Sequence, residues 1–560
     1  MGRISRLTVT NFRSIKEPVE LEFPRNAPLV LLGPNNSGKS SIVRALELIA
    51  GETWPNSFDP DDHDFHCRDK SNVPISISLD LEAVFHYDKY KATRQQVVGL
   101  TLSYSPDSGS SFRMAFSDGV DSPYVTKEVR AQCPCIVVGA DRRLSYQLSY
   151  ASKYTFLAKL MRQFHRALTA EEERVEALKK RFGEIKHLFQ GVEPFKMFAA
   201  ELQRQVDDFS SNIEYRLGVD FSAYDPSNYF HALRVLPEQG GQVRTFEELG
   251  TGQEQILALS FAYAYAKAFH GQGDEGLILV IEEPEAHLHP LAQRWVGRKI
   301  YELAKEGVQV VITTHSPAFV DVENLEALAL VSKQDMATTA TQLTKTMLAE
   351  HCQATGATKA EPESILPFYA VTATEEILSG LFARKIVLVE GPTEALALPV
   401  YFTRTGLNPT KEGIAFIPVH GVGNLAKWWR FFSAYHIPTY VVFDNDSKED
   451  AKGERREDLL LALGIPRHKW SGVMRSDKWV ILDHFAVFGN NFEECLRTHF
   501  GQTYDRLEQE AQKQFGLTAS QSKPLIARYV AEKMTHRRGE DWKGWTRIRT
   551  MASAVRSLTR

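Results

Sequence analysis

The residues Gly33–Ser41, GPNNSGKSS, carry the glycines, lysine and serine of a phosphate-binding loop. The apolar stretch Pro28–Leu32 leads into this loop, and helical spacing follows over Ser40–Ala50. In that context backbone N–H groups and the helix N-terminus hold phosphates, so a merely glycine-rich turn is disfavoured. Lys39 would bridge the β- and γ-phosphates of ATP, and the Ser40 hydroxyl would ligate Mg²⁺. The other loop residues predicted to contact the nucleotide are Asn35, Asn36, Gly38 and Ser41.

Two acids end a second apolar stretch, within Leu277–Pro290, LILVIEEPEAHLHP. A buried strand that delivers carboxylates at its C-terminal end suits Glu282 as the residue that orders Mg²⁺. Glu283 would then polarise the attacking water as general base. The alternative is an acid pair that faces solvent, which the phosphate loop disfavours. Motifs for binding and for hydrolysis are both present. The sequence therefore leaves open whether ATP hydrolysis drives a motor or whether bound ATP switches another activity on and off without rapid turnover.

The segment Leu249–Gln255, LGTGQEQ, precedes a helix rich in Ala and Leu and resembles the signature segment of ABC-type ATPases. In that family this segment contacts the γ-phosphate of a nucleotide held by the other subunit. The resemblance therefore implies at least a homodimer. It also matches His315, in the run TTHSP, to the histidine that senses the same phosphate, the alternative being a structural histidine. The signature residues so assigned are Gly250, Gly252 and Gln253.

Acids also follow two apolar strands in the second half of the chain. Glu390 ends the first strand, and Glu394 lies one helical turn later, beyond Pro392. The second strand ends in Asp444-x-Asp446. Hard oxygen ligands with no His or Cys nearby favour Mg²⁺ or Mn²⁺, and two metals would suit in-line hydrolysis of a phosphodiester. The alternative is a solvated acidic sheet edge. A further acid comes from Asn491–Glu494 and is predicted to be Glu493.

The Glu…Asp-x-Asp arrangement resembles the TOPRIM domain shared by topoisomerases, primases and some nucleases. The sequence marks neither a tyrosine nucleophile nor a primase zinc module, which favours cleavage by metal-activated water over strand passage. Lys523 stands where TOPRIM nucleases of this type carry a catalytic lysine, and there it would stabilise charge on the transition state. A lysine that simply faces solvent is the alternative.

The two halves together resemble the OLD (overcoming lysogenisation defect) family of bacterial and phage nucleases over nearly the whole chain. This resemblance rests on the run Glu282–His289, on TTHSP and on the TOPRIM acids that follow. It implies an ATPase and metal-dependent DNA endonuclease or nickase, in some members acting in phage defence. Some members act alone and others beside a helicase-like partner, as the nuclease subunit of the Gabija system does. By position, the resemblance assigns catalytic metal ligation to Glu390, Glu394, Asp444, Asp446 and Glu493, and the lysine role to Lys523.

The predicted fold class is α/β: an ABC-type ATPase head with a helical insertion, followed by a TOPRIM α/β domain. The ATPase occupies residues 1–150 and 233–375, the TOPRIM domain 380–510, and a basic helical region 511–560. Helical spacing and dense charge set apart residues 151–232, which form either a dimerisation element or a plain helical subdomain. The polar stretch Ala337–Pro362 is predicted to be a linker.

Composition is that of a globular protein with several domains, with 560 residues, 43% hydrophobic and 24% charged. No apolar run reaches the roughly 20 residues that span a bilayer, and the N-terminus has no secretion pattern. Five cysteines show no zinc spacing, which favours the reducing cytoplasm. A net charge of −4 leaves DNA binding to a local basic surface.

The C-terminal tail supplies such a basic sequence, with Trp542 and Trp545 placed among its cations. We predict phosphate contacts and base stacking there, the alternative being a solvated charged face. A rival hypothesis for the whole chain is a DNA clamp of the SMC or RecF type, in which the TOPRIM acids have only a structural role. A clamp would retain DNA in a nucleotide-dependent way and break no strand.

Overall fold

The computed structural model describes residues 2–51, 53–88, 93–139, 251–269, 276–445, 452–474, 477–518, 521–535 and 542–559, with Asp450 and short pieces between 171 and 243. The chain divides into two compact units. One comprises residues 1–137, 270–285 and 290–560, and the other comprises residues 138–269 and 286–289. The predicted insertion at 151–232 lies almost wholly outside the described residues.

The described strands are β1 (Arg3–Thr10), β2 (Val19–Glu22), β3 (Leu29–Leu32), β4 (Ile75–Asp88), β5 (Thr93–Ser105), β6 (Gly109–Phe116), β7 (Asp121–Ser122), β8 (Cys135–Val138), β9 (Glu238–Gln239), β10 (Gln242–Val243), β11 (Ile278–Glu282), β12 (Gln309–Thr313), β13 (Leu328–Gln334), β14 (Ala337–Gln342), β15 (Lys385–Val389), β16 (Ile414–Pro418), β17 (Thr439–Asp444), β18 (Val480–Ile481) and β19 (Phe485–Phe488).

The described α-helices are α1 (Lys39–Ala50), α2 (Lys127–Ala131), α3 (Thr251–Phe269), α4 (Pro290–Lys305), α5 (Lys345–Ala354), α6 (Leu366–Thr372), α7 (Glu375–Leu378), α8 (Pro392–Arg404), α9 (Pro409–Glu412), α10 (Val422–Ala434), α11 (Glu454–Ala462), α12 (Arg467–Met474), α13 (Phe492–Phe500), α14 (Gln502–Phe515), α15 (Lys523–Lys533) and α16 (Trp542–Ser557).

Two six-stranded sheets enclose helix α1 in the ATPase part. The first sheet is antiparallel, in the order β2-β1-β4-β5-β6-β7. The second has the order β14-β13-β3-β12-β11-β8, and its strands β13, β3, β12 and β11 run parallel. Apolar residues of α1 and of both sheets share one core. The parallel strands β3 and β12 are buried at every position, as the apolar sequence of β3 and the apolar centre of β12 predict for strands covered on both faces.

The predicted linker at Ala337–Pro362 is wrong over most of its length. Strand β14 pairs antiparallel with β13, and α5 follows after Thr344, whose side chain accepts a hydrogen bond from Met347 N. The sequence of β14, ATTATQ, is polar because it forms the edge of its sheet, where alternation of threonine with alanine suffices. One of these threonines, Thr338, is buried and braces the phosphate loop.

The C-terminal half forms a five-stranded sheet in the order β16-β15-β17-β19-β18, parallel except for β18. Alternate residues of β15 and β17 face a core shared with α8, α13, α14, α15 and α16. On the opposite face of the sheet, Ile386 of β15 and Phe432 of α10 both approach Gly380. Because β15, β17 and β19 are parallel neighbours, the residues that follow them meet at one edge of the sheet.

Candidate nucleotide pocket and carboxylate edge

The phosphate loop has two glycines whose positions exclude any side chain. Gly33 has φ 138°, and a Cβ there would lie 2.1 Å from the Val331 carbonyl oxygen. Gly38 has φ 109°, and its Cβ would lie 2.0 Å from Thr338 Oγ1. That hydroxyl donates to the Ser37 carbonyl at 2.9 Å. Tertiary contact with β13 and β14 therefore holds the loop open around its backbone N–H groups.

Lys39 is the first residue of α1 and is buried beneath the loop. Its Nζ donates to the Gly33 carbonyl at 2.8 Å and to the Pro34 carbonyl at 3.1 Å. Burial lowers the pKa of Lys39 to about 8, although the negative charges of Glu283 and Glu285 oppose the shift. An anionic phosphate would restore the charged form, so the loop is electrostatically prepared for a phosphate ligand.

Glu283 and His315 lie together at the ends of the neighbouring parallel strands β11 and β12. The Glu283 amide donates to the Thr313 carbonyl at 2.9 Å, and His315 Nε2 lies 3.9 Å from Glu283 Oε1. Burial, reinforced by the charge of Lys39, lowers the pKa of His315. A neutral imidazole beside a half-exposed carboxylate can relay a hydrogen bond toward the γ-phosphate position without adding to the charge there.

A pocket of about 770 Å³ brings most of the predicted nucleotide residues together. Glu282 is the last residue of β11 and pairs in register with Thr313, so it too lies at this end of the sheet. The predicted residues that line the pocket are Asn35, Asn36, Gly38, Lys39, Ser40, Ser41, Glu283 and His315.

The sequence interpretation missed several residues at this pocket. Arg13 lines it and pairs with Asp64, Nε to Oδ1 at 2.9 Å. Lys333 reaches in from β13 and donates to Asn36 Oδ1 at 3.2 Å. Glu285 accepts a hydrogen bond from the His315 amide at 2.5 Å, which fixes the loop that carries the histidine. Glu285 stood in the acidic run already singled out, whereas no local signal marks Lys333.

The ABC-like signature segment belongs to the second compact unit. Gly250 lies outside the described residues. Gly252 and Gln253 form the first turn of α3, and a Cβ on Gly252 would lie 2.9 Å from the His287 carbonyl oxygen. The helix predicted to follow this segment is present. Its contact with a nucleotide on another subunit stays a prediction.

Four predicted metal ligands converge after the parallel strands of the C-terminal sheet, and we call them the carboxylate edge: Glu390, Glu394, Asp444 and Glu493. Backbone donors orient three of these carboxylates. The Asp444 amide donates to Glu390 Oε1 at 2.7 Å, the Gly391 amide to Glu394 Oε2 at 3.1 Å and the Phe492 amide to Asp444 Oδ2 at 3.2 Å. Glu493 lies in the first turn of α13, the helix that follows β19.

Burial and neighbouring negative charge raise the pKa values of two acids of the carboxylate edge, Asp444 and Glu394. Burial raises the pKa of Asp444 well above its ordinary value, and the charges of Glu394, Glu390 and Glu493 raise it further. Burial likewise raises the pKa of Glu394 to about 7, with Glu493 adding to the shift and Lys523 opposing it. A divalent cation bound among these crowded carboxylates would stabilise their ionised forms, because it supplies the compensating positive charge.

The donor chemistry of the carboxylate edge fits a hard divalent cation. Asp444 Oδ1 is buried and has no hydrogen-bond partner in the described part of the chain, so it can accept an ion. Among the described residues, no three acidic, His or Cys side chains already stand at metal-binding distances. Asp446, the remaining predicted ligand, lies outside the described residues. Carboxylate oxygens alone suit Mg²⁺ or Mn²⁺ better than zinc.

Lys523 lies beside this edge, as predicted. It is the first residue of α15, and its Nζ is 4.0 Å from Glu493 Oε1. Its side chain is 59% exposed, so the ammonium can turn toward a bound phosphate without losing a buried contact.

The prediction that both tail tryptophans stack on bases is wrong for Trp545. This residue is 1% exposed, and its Nε1 donates to the Thr535 carbonyl at 3.0 Å. It packs against Tyr401 and Phe500 because α16 lays one apolar face on the core. Trp542, one turn earlier, is 56% exposed.

The fold and the two sites define a phosphate-loop ATPase followed by an α/β domain with an acidic sheet edge. The chain belongs to the AAA ATPase domain family, whose pattern matches residues 3–120 and 132–320. Residues 381–446 match the TOPRIM domain of overcoming lysogenization defect protein-like sequences. The predicted fold class and the resemblance to the OLD family are confirmed.

Two curated relatives extend the similarity over most of the chain. The OLD nuclease of Thermus scotoductus is 24% identical over 79% of this chain and 82% of its own length. The Old nuclease of Escherichia phage P2 is 22% identical over 82% of this chain and 80% of its own. Among solved structures, the SMC head domain from Thermotoga maritima is 12% identical and covers 61% of this chain and 99% of that chain, with a TM-score of 0.31.

No helix among the described residues is long and apolar enough to cross a membrane.

Proposed function

We propose that this protein is an ATP-binding and ATP-hydrolysing, divalent-metal-dependent DNA endonuclease or nickase. The observation that carries the proposal is the carboxylate edge, where the buried Asp444 Oδ1 lacks a partner among the described residues and three further acids bear on the same carboxyl. A purely structural acid would instead be paired or exposed. The two relatives named as nucleases support the same activity.

The residues of this chain divide the work at the carboxylate edge. Glu390 and Asp444 would bind metal, and the hydrogen bond from the Asp444 amide to Glu390 fixes their relative orientation. Lys523, next to Glu493, would stabilise negative charge on the cleaved phosphate. A bound Mg²⁺ or Mn²⁺ supplies Lewis-acid stabilisation of that charge. The sequence marks no tyrosine nucleophile, which supports water as the attacking group.

In the nucleotide pocket, Lys39 and the loop backbone would hold the phosphates and Ser40 would contribute to Mg²⁺ binding. Glu283 would accept a proton from the attacking water, and His315, 3.9 Å away, would sense the γ-phosphate. Glu282, the last residue of the strand before Glu283, would help order the ion. ATP turnover and DNA cleavage are thus assigned to separate sets of residues.

The biological setting is a proposal that rests on the resemblance alone. It comprises action in phage defence or DNA processing, a cytoplasmic location, a homodimer or higher oligomer, and for some members a helicase-like partner. The signature segment at Gly252 supports the dimer, because in ABC-type ATPases it acts on the partner's nucleotide.

A supercoiled-plasmid assay tests the proposed nuclease. Purified protein is incubated with Mg²⁺ or Mn²⁺, with and without ATP, beside Asp444→Ala and the matched control Asp483→Ala. Asp483 is exposed and precedes β19, at the opposite end of the sheet. We expect nicked or linear product from the wild type and the control, and a loss of on the order of 10³-fold in Asp444→Ala.

Cleavage at the wild-type rate by Asp444→Ala would overturn the site assignment. An intact plasmid in every lane, together with ATP-dependent retention of DNA, would favour the clamp hypothesis. The comparison with and without ATP shows whether nucleotide drives or restrains cleavage.

A further inference from the structure

Helix α16 carries an outward face with no acidic residue. From Trp542 to Arg560 the sequence contains no Asp or Glu, although the whole chain has a net charge of −4. The basic residues of the helix are Lys543, Arg547, Arg549 and Arg556. A one-signed face of this kind attracts a polyanion.

The inward face of α16 fixes which side chains point to solvent. Ile548 and Met551 are fully buried, and Trp545 is anchored through Thr535. A Cβ on Gly544 would lie 2.5 Å from the Phe500 ring, so the helix lies close against α13. The orientation of the basic face is therefore set by the core and does not depend on a ligand.

Three of the four cations are available for a ligand. Arg556 pairs with Glu412 and is therefore committed to the fold. Lys543 and Arg549 are exposed and Arg547 is half-buried, and none of the three forms an ion pair with another described residue. Like charges along one helix face repel, and the phosphates of a nucleic acid would relieve that repulsion.

Trp542 adds an aromatic surface to the same face. Its side chain is 56% exposed, and the Arg549 guanidinium lies 5.2 Å from the ring centre. The core leaves this tryptophan in water although Trp545, one turn later, is completely buried. An indole that is exposed among cations can stack on an unpaired base, whereas the bases of an intact duplex present no free ring face.

The face belongs to the domain that holds the carboxylate edge. Helix α16 packs against α13, and the first amide of α13, at Phe492, donates to Asp444 Oδ2. The charge of Arg547 acts on Cys495 in the second turn of α13. A DNA strand held on the outer face of α16 would thus lie on the same domain as the metal-binding acids, with α16 itself packed on the helix whose first amide orients Asp444.

We propose that the outer face of α16, formed by Trp542, Lys543, Arg547 and Arg549, binds single-stranded DNA. The cations contact backbone phosphates, and Trp542 stacks on an unpaired base. The proposal rests on the DNA nuclease function and sharpens it, since it places unpaired nucleotides on the domain that carries the proposed cleavage site.

Binding without divalent metal tests this surface independently of cleavage. Full-length protein in EDTA is titrated into a fluorescently labelled oligothymidine of about 20 nucleotides and into a hairpin duplex of equal charge. The variants are Lys543→Ala, Arg549→Ala, Trp542→Ala and Trp542→Phe. Lys513→Ala is the matched control, because it removes one exposed positive charge from α14, another helix of the same domain.

We expect Trp542→Ala to weaken oligothymidine binding by roughly 5- to 100-fold and Trp542→Phe to retain most of the affinity. Each cation variant should reduce the salt dependence of log K by about 0.7 for the single strand. The hairpin should lose little affinity in Trp542→Ala, and Lys513→Ala should match the wild type.

Wild-type affinity in Trp542→Ala and in both cation variants would overturn the proposal, as would a wild-type protein that binds neither DNA. Equal losses on the hairpin and the single strand would overturn the assignment to unpaired DNA. A protein that binds as expected but leaves plasmid intact in Mg²⁺ would instead overturn the nuclease function, so the two failures are distinguishable.

Discussion

The nucleotide pocket and the carboxylate edge use the same architecture with opposite charge. Both lie where parallel strands end, and both are oriented by backbone N–H groups. The pocket collects Lys39, Arg13 and Lys333, whereas the edge collects acids, and burial with neighbouring negative charge raises the pKa values of Asp444 and Glu394 among them. In the proposed function both regions bind phosphate, which cations would hold directly in the first region and a metal ion would hold in the second. The carboxyl end of a parallel sheet provides only the location of the site, and the residue types there decide how phosphate is bound.

Glu283→Gln should give the largest difference in effect between the two regions, with a loss of ATP hydrolysis but not of DNA cleavage. The amide cannot accept the proton of the attacking water, so ATP hydrolysis should fall by about 10²- to 10⁴-fold while ATP binding persists. Phosphate release and ATP affinity measure the two effects. Metal-dependent cleavage measured without ATP should stay within about twofold of wild type, and a comparable loss there would show that the regions are not independent.

Lys39→Ala should weaken ATP binding by about 10- to 100-fold, the range for a lost charge-assisted hydrogen bond. Isothermal titration measures the dissociation constant. The exposed Lys16→Ala variant, which removes the same charge outside the pocket, should bind ATP normally. Unchanged affinity in Lys39→Ala would contradict the assignment of the loop.

ATP binding should weaken as the pH rises above about 8. The pKa of Lys39 in the free protein is lowered from 10.5 to about 8, so the ammonium that pairs with phosphate is lost above that pH. Correspondingly, the free energy of unfolding should rise between pH 8 and 10.5, where only the unfolded chain keeps this proton. Affinities measured at pH 7, 8, 9 and 10 should fall by several-fold in wild type and stay flat in Lys39→Ala.

Glu394→Gln tests the carboxylate edge, where the free energy of unfolding should change with pH in the opposite direction from the effect of Lys39. Because the pKa of Glu394 is raised from 4.5 to about 7, the metal-free protein loses free energy of unfolding as the pH rises through that window. Glutamine removes this loss, so the melting temperature without metal should rise by a few degrees at pH 8, and the further rise on adding Mg²⁺ should shrink. Glu494→Gln, an exposed neighbour in α13, should leave both values unchanged.

Gly38→Ala tests whether the contact between the phosphate loop and β14 supports folding. Its Cβ would lie 2.0 Å from Thr338 Oγ1 at φ 109°, so the melting temperature should fall by several degrees. Gly464→Ala, at φ 69° with open space around it, carries backbone strain without the collision. Equal losses in the two variants would show that the contact with β14 does not matter.

Local patterns predicted the elements that carry the chemistry. The phosphate loop, the strand before Glu283 and the strand-turn-helix around Glu390 and Glu394 all appear where the sequence placed them. Each depends on short-range chemistry: glycine at positive φ, apolar runs that form buried strands, and proline at a helix start.

Other features were invisible because their signals are non-local. Strand β14 reads as a polar linker, yet it pairs with β13 and places Thr338 against Ser37. Lys333 lies nearly 300 residues after Asn36 in the chain but contacts it in the nucleotide pocket, and no motif in the sequence around Lys333 predicts this contact. Asp446, Gly250 and the insertion fall outside the described residues, so their predicted roles remain predictions.

The sequence by itself determined which chemistries this protein holds, because motif residues are close together in the chain and their types set the ligand. Tertiary structure decided which side chains share a site and which are exposed. Trp542 and Trp545 show the distinction, since they are three residues apart and both stand in the same basic stretch of sequence. Only the packing of α16 on Phe500 buries one and leaves the other in water, because burial depends on the neighbouring helix and not on the residue's own sequence.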